Sequence, residues 1–256
     1  MLAHIVVGHP NSQSFNGHLA RTMRDALVER GWSVTTSDLS AMGFDPAEGA
    51  HQYPDRDPEA EYNVQREQRL AAEAERLPPD VRAEIARLEA ADLLIMQFPL
   101  WWFGPPAILK GWFDRVFVYG HVYTSQMRHD RGYFKGKRAM LSVTCGGPEE
   151  TFAVDGRNGD IDVLLWPLHF SLSYVGYTVL EPQVFYGVQA EMRHRSVEGL
   201  QALLAGQASD AGERMRHLDT VPAMKFAGWD DWENGRLKPG IRARRPMMPP
   251  MNPVAP

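Results

Sequence analysis

The sequence predicts an α/β protein whose parallel sheet is covered by helices on both faces. Two observations lead to this. Short apolar runs alternate with helix-period segments along residues 2–204, the order expected when a crossover helix links each strand to the next. Three polar or glycine-bearing loops, 9–16, 98–104 and 144–147, each follow a strand, and open sheets of this kind bind ligands beyond the carboxyl ends of their strands.

Leu2 to Gly8 is read as the first strand, and the polar turn from His9 to Gly17 feeds a helix running to about Arg30. Ser14 or Asn16 can cap that helix, and its free N–H groups then either end there or form an anion site. Gly31 stops the helix, and residues 32–39 alternate as a second strand. Residues 43–79 are a polar excursion with Asp45-Pro46, Tyr53-Pro54, Asp57-Pro58 and Pro78-Pro79 and a charged helical stretch from Glu61 to Arg76. Excursions of that length in compact domains are functional or mobile. A helix over 81–90 leads into a third strand, Asp92 to Gln97, too short and too apolar at its centre for a surface helix.

The stretch Phe98 to Phe117 follows. Leu100, Trp101, Trp102 and Phe103 form an aromatic patch at the strand end, and Gly104-Pro105-Pro106 turns the chain. Ile108, Leu109, Trp112, Phe113, Val116 and Phe117 then recur on one helix face, with Lys110 and Asp114 paired four apart outside it. Either proline can sit in the first turn, where no N–H is needed. Residues 139–145 are a fourth strand ending at Gly146-Gly147, a pair that permits close backbone approach to a ligand or simply a tight turn. A helix containing Ile161, Leu164, Leu165 and Leu168 precedes a fifth strand, 177–185, and a last helix spans Arg195 to Leu204. Residues 222–256 hold seven prolines and a basic cluster (Arg236, Lys238, Arg242, Arg244, Arg245), and no strand or long helix is expected there. This tail is either disordered or docked through Phe226, Trp229, Trp232 and Ile241.

Composition narrows the function classes. The 256 residues are 44% hydrophobic and 23% charged, enough for one sizeable core. A net charge of −5 argues against general affinity for nucleic acid or anionic membrane. The single cysteine, Cys145, cannot make an internal disulfide, and no basic leader or membrane-length apolar run is visible. A cytoplasmic setting without integral membrane association is expected. No G-x-x-x-x-G-K-[ST] run, G-x-G-x-x-G turn or G-x-S-x-G elbow occurs. His121, His129 and Asp130 lack the spacing of a metal site, so no metal is expected. Cys145 fits a small core residue better than a nucleophile.

Ordered segments then carry a resemblance: Ser14-Phe15-Asn16, Gly31-Trp32, Ser37-Asp38-Leu39, Leu88 to Leu93, Gln97-Phe98-Pro99-Leu100 through Lys110-Gly111-Trp112-Phe113 to Arg115-Val116-Phe117, Gly146-Gly147, Leu165-Trp166-Pro167 and Leu180-Glu181-Pro182-Gln183. Over roughly residues 3–205 the chain resembles the NAD(P)H:quinone oxidoreductases of the DT-diaphorase type. The resemblance implies a flavodoxin-like fold, with a five-stranded parallel sheet in the order 2-1-3-4-5 and helices on both faces. It implies a catalytic domain over 1–205 and an extended Pro-rich C-terminal extension, 206–256, docking on the domain or on a partner subunit.

It also implies a site. His9, Ser14, Phe15 and Asn16 would surround the flavin pyrophosphate. Pro99, Leu100, Trp101, Trp102 and Phe103 would flank the isoalloxazine, and Thr144, Cys145, Gly146 and Gly147 would line its edge. Tyr123 and Ser125, with Tyr174 from the other subunit of a homodimer, would line the nicotinamide and acceptor pocket. FAD is the implied cofactor ahead of FMN, with NADH or NADPH as co-substrate. Two departures stand out: the family's Tyr and His after the glycine pair correspond to Phe152 and Asn158, neither of which can take up a proton. The catalytic set is then Trp102, Phe103, Gly146, Gly147 and Asn158. The reading is a two-electron reductase that passes hydride from NAD(P)H through FAD to a quinone or similar small acceptor by a ping-pong route. A flavin-binding ancillary subunit and an azo- or nitro-reductase variant are the alternatives.

Overall fold

A computed structural model of the chain describes residues 1–189 and 195–243. Arg244, Arg245 and the last five prolines of the tail fall outside the described residues. The elements in chain order are β1 (Leu2–Val7), α1 (Phe15–Glu29), β2 (Ser33–Asp38), α2 (Val64–Glu73), α3 (Pro79–Ala90), β3 (Leu93–Pro99), α4 (Ala107–Val116), β4 (Arg138–Thr144), α5 (Ile161–Tyr174), β5 (Thr178–Val179), β6 (Gln183–Phe185), α6 (Val197–Arg216), β7 (Trp232–Glu233) and β8 (Arg236–Leu237). The parallel sheet has the order β2-β1-β3-β4-β5, and β6 also pairs with β4.

The central strands are buried along nearly their whole length, as expected with helices on both faces. Alternate residues feed two cores. Ala3, Ile5, Val7, Leu93, Ile95 and Met140 pack against α1 and α6. Val6, Leu94, Met96, Phe98, Leu141 and Val143 pack against α3, α4 and α5. At α4 and its C-cap, Trp112, Phe113 and Phe117 meet edge to face with centroids 5.1–5.7 Å apart, which locks the helix that follows the aromatic loop. The two prolines precede this helix, Pro106 being its N-cap residue.

The fifth strand expected over 177–185 is interrupted. Val179 faces Ala139, but Gln183 faces Ser142, so one extra residue is inserted around Pro182, which has no N–H for the ladder. Arg214 of α6 donates to the carbonyls of Glu181 and Pro182 and satisfies the break. The outer edge is covered by the chain itself. Glu181 N donates to Pro222 O (2.9 Å) and Met224 N to Val179 O (2.8 Å), an antiparallel cover for an edge that would otherwise stay open.

The final helix ends at Arg216 rather than Leu204, running unbroken through residue 205. A small hairpin, β7–β8, also appears where no strand was expected. Its turn residues Asn234 (φ 51°) and Gly235 (φ 75°) have the left-handed geometry of a tight hairpin turn. Phe226 lies on Trp166 (5.5 Å) and Trp232 beside His129 (6.4 Å), so the described part of the tail lies on the domain surface.

The excursion after β2 is clamped from the core. Arg115 of α4 is buried and donates to Asp45 O (2.7 Å), Gln52 Oε1 (2.7 Å) and both oxygens of Asp80 (2.6 and 3.1 Å). One guanidinium thereby fixes the chain at both ends of residues 45–52 and ties it to α3. No helix among the described residues is long and apolar enough to cross a membrane.

Candidate active site

Three strand-end loops are stitched together pairwise. In the loop after β1, Ser14 caps α1 and accepts from Gly17 N (3.3 Å). A Cβ on Gly17 would lie 2.0 Å from Ser12 O, so glycine alone allows the loop to fold back over the helix start. The first N–H groups of α1 have no intrahelical acceptor and face this loop. His9 is held by Nδ1, 3.0 Å from Asn11 N, and its ring lies 5.7 Å from Trp101 of the second loop. Phe15 and His18 stand 6.1 Å apart at the mouth of a groove of about 400 Å³, bounded across by Gln201, Leu204 and Ala205 of α6.

The Asn16 side chain points beneath the loop. It is 4% exposed. It accepts from Gln97 Nε2 (2.8 Å) and donates to Thr144 Oγ1 (3.1 Å), while Ser142 Oγ donates to Gln97 Oε1 (2.6 Å). This buried ladder joins α1, β3 and β4 immediately beneath the loops and consumes the polar atoms of Asn16. Gln97 and Ser142 were not singled out as site residues, and only their polarity inside apolar strands marked them.

In the second loop, Leu100 N donates to Thr144 O (2.8 Å), which joins it to the third. Trp101 and Gly104 exchange backbone hydrogen bonds (2.9 and 3.0 Å) around Trp102 and Phe103. Both tip residues have positive φ, 49° and 62°. Large side chains avoid that region, and strained backbone of this kind concentrates at functional sites. Trp101, Trp102 and Phe103 are 45%, 96% and 51% exposed. Pro99 is buried at the end of β3, and Leu100 packs at the edge of the core below the patch.

In the third loop, Cys145 is buried, and its N–H bonds Phe185 O (2.7 Å). Burial pushes its thiol up to about 12, which makes it a core residue and no nucleophile. Gly147 has no room for a side chain: a Cβ would meet Thr151 Oγ1 at 3.0 Å, with Phe152 and Asn158 atoms at 3.4 Å. Asn158 Nδ2 donates to Thr151 Oγ1 (3.0 Å), and the Phe152 ring lies 5.8 Å from Tyr186. Burial, then the neighbouring charges, push the Tyr186 phenol up to about 12, so it stays protonated. The glycine pair is thus backed by Phe152 and a fixed amide.

Tyr123 and Tyr174 stand edge to face, 5.9 Å apart, within the same chain. The α5 residue and the 119–125 turn thus meet within one protomer. Tyr123 Oη accepts from Gln65 (3.4 Å), and burial raises its pKa above the ordinary phenol value. Ser125 is exposed at the tip of the same turn. Phe103 and Tyr123 open into one cavity of about 650 Å³, whose walls include Phe113 and Leu168 and whose far side is Tyr62 and Gln65 of the excursion. That excursion was legible as an insertion, but its part in a cavity was not.

The chain belongs to the flavodoxin-like family: a family model described as a flavodoxin-like fold matches residues 1–205. Within the described fold it is similar to NAD(P)H dehydrogenase (quinone) 1 of Cavia porcellus, 44% identical over 187 residues, covering 72% of this chain and 68% of that protein. A ribosyldihydronicotinamide dehydrogenase-like protein of Penicillium crustosum is 35% identical over 246 residues, covering 90% of this chain and 85% of that one. A solved Klebsiella pneumoniae structure, provisionally described as a quinone reductase, superposes with a TM-score of 0.82 at 32% identity, covering 95% of this chain and 94% of the other.

Proposed function

We propose that the chain is a flavin-dependent NAD(P)H oxidoreductase that passes two electrons, as hydride, from the nicotinamide nucleotide to a quinone. The observation that carries this reading is the pairwise stitching of three strand-end loops around the exposed, strained Trp102–Phe103 turn. Its relatives named as quinone dehydrogenases share the flavodoxin-like region.

The residues fit a planar, phosphorylated cofactor. The start of α1, over which the 9–14 loop folds back at Gly17, offers helix N-terminal N–H groups that suit a diphosphate. Trp102 and Phe103 supply a wall for an aromatic ring, and the Gly146–Gly147 backbone allows that ring's edge to approach closely. A bound flavin supplies the hydride-accepting ring, and the protein's part is to hold it, exclude water and aim N–H groups at the charge that develops. Phe152 donates nothing, and Asn158 can donate but not titrate, so backbone N–H groups near Gly146 and Gly147 do most of that work.

FAD is preferred over FMN because the groove between Phe15 and Leu204 adjoins the diphosphate site and has the size, an aromatic side and polar partners for a second ring system. One cavity serves Phe103 and Tyr123, so donor and acceptor occupy it in turn, a ping-pong order. Residues 1–205 make up the catalytic domain and 206–256 the extension. A homodimer would cover the exposed aromatic tip.

The test is the absorbance spectrum of the purified protein and the chromatographic identity of the cofactor it releases on denaturation. Yellow protein yielding FAD is expected. Protein that neither carries nor takes up flavin would refute the reading, and FMN would refute the choice of cofactor.

A further inference from the structure

We propose that Arg128 selects acceptors bearing a negative charge on or beside the reducible ring. The inference rests on the reading that Tyr123 and Tyr174 line the acceptor pocket, and it concerns a charge that no step of that reading uses.

Arg128 lies in the strained turn 128–131, next to His129 with its positive φ of 57°. Its Nη1 donates to Tyr174 Oη (3.0 Å). The guanidinium also lies against two aromatic rings, 5.7 Å from the centroid of Tyr174 and 5.1 Å from that of Trp229. Among the described residues it forms no ion pair with a carboxylate, and its Nε is buried without a hydrogen-bond partner. Aromatic faces and one phenol replace only part of the water that such a cation gives up.

The nearby carboxylates are already engaged. Asp130 accepts from Trp229 N (2.6 Å), Asp231 from Gly228 N (2.8 Å), and Asp230 from Arg131 (2.9 and 3.0 Å). His129 adds no competing cation, because burial, with Arg128 beside it, holds its pKa below the ordinary range. What remains is one guanidinium, fixed by the C-terminal extension through Trp229 and by Tyr174, the ring beside the cavity-lining Tyr123. A sulfonate, carboxylate or phenolate on the ligand's ring would complete its hydrogen bonding, and planar forked donors suit such groups. Because Arg128 is bonded to the phenol of Tyr174, whose ring meets the cavity-lining Tyr123 at 5.9 Å, a charged substituent on a ligand held beside these rings comes within reach.

The experiment compares kcat/KM of the holoenzyme for 1,2-naphthoquinone-4-sulfonate and for 1,2-naphthoquinone, in the wild type, Arg128→Gln and Arg128→Lys. The ratio of the two values cancels general losses of activity or of folded protein. The sulfonate-to-neutral ratio is expected to fall about tenfold or more in Arg128→Gln, chiefly through KM for the sulfonate. Arg128→Lys should restore part of it, and added salt should lower it in the wild type but not in Arg128→Gln. A non-reducible probe, 2-naphthalenesulfonate, titrated by tryptophan fluorescence, should lose affinity in the same order. An unchanged ratio and unchanged probe affinity would overturn the proposal. So would a shift in the NADPH-to-NADH ratio without one in the quinone ratio, which would assign the guanidinium to the nucleotide's phosphate. If neither nucleotide reduces the wild-type protein, the oxidoreductase reading itself fails, and the fluorescence titration still decides whether Arg128 binds the anion.

Discussion

Trp102 is costly to the fold, and the proposed flavin site gives that cost a use. Its backbone sits at φ 49° and its side chain is 96% exposed, so it contributes strain and almost no packing. Trp102→Asn, a residue that tolerates this region, should stabilise the flavin-free protein by about 1 kcal/mol, or about 2–4 °C in Tm. The same change should weaken flavin binding about tenfold or more, and scanning fluorimetry with a flavin titration measures both. A destabilised flavin-free variant would mean that the turn is not strained. Cys145 gives a second prediction. With its thiol pushed up to about 12, only about one molecule in ten thousand is thiolate at pH 8, and folded protein should resist thiol reagents until it is denatured. The aromatic loop and glycine pair were legible in the sequence because their residue types are unusual at strand ends. The roles of Asn16 and Thr144 were not, because their hydrogen bond joins positions 128 residues apart. Local pattern cannot distinguish a buried rung from a cofactor ligand.

At the scale of elements, α4 carries two networks that the sequence did not announce. Arg115 clamps the excursion, and Arg115→Ala leaves Asp80 Oδ2, the Asp45 carbonyl and Gln52 Oε1 without that donor. A loss of about 2–4 kcal/mol in chemical denaturation is expected, with faster hydrogen exchange over residues 44–54. Trp112 donates to Glu84 (2.8 Å), which also accepts from Ser37 (2.7 Å) and Arg87 and lies 3.8 Å from His4, all beneath β1 and β2. Burial alone would push Glu84 up, but His4 beside it and the hydrogen bonds from Ser37 and Trp112 together hold it below its ordinary value of 4.5. A depressed folded pKa stabilises above that value and loses its contribution as pH falls through the folded pKa. The wild type should therefore lose more Tm than Glu84→Gln on acidification below about pH 4.5. Equal slopes for the two proteins would contradict the linkage. Strand alternation and helix periodicity were readable because each is set by near neighbours. The break at Pro182 was read through, since the apolar pattern continues on either side of it, and the extra turns of α6 were missed because its moderately polar second half shows no strong apolar face.

Across the whole molecule, the described part of the extension acts as a cover. It pairs along the outer edge of the fifth strand and lays Phe226, Trp229 and Trp232 on surfaces around α5 and the 128–131 turn. Removal of residues 218–256 should expose that edge, lower Tm and promote self-association visible by size exclusion at micromolar concentration. A truncated chain as stable and monodisperse as the full one would show that the cover is dispensable. The sheet order, and with it the placement of the three loops at the carboxyl ends of β1, β3 and β4, followed from the alternation of elements together with the resemblance. The route of the extension did not, because its anchors are single aromatics without periodicity. The central claim is that the three strand-end loops form a site in which a nicotinamide nucleotide reduces a bound flavin. Anaerobic stopped-flow tests it most directly. Mixing the flavin-loaded protein with NADH or NADPH should bleach the long-wavelength flavin band in a rapid phase, and a quinone in a second mix should restore it. A flavin-loaded protein that neither nucleotide bleaches would contradict the account.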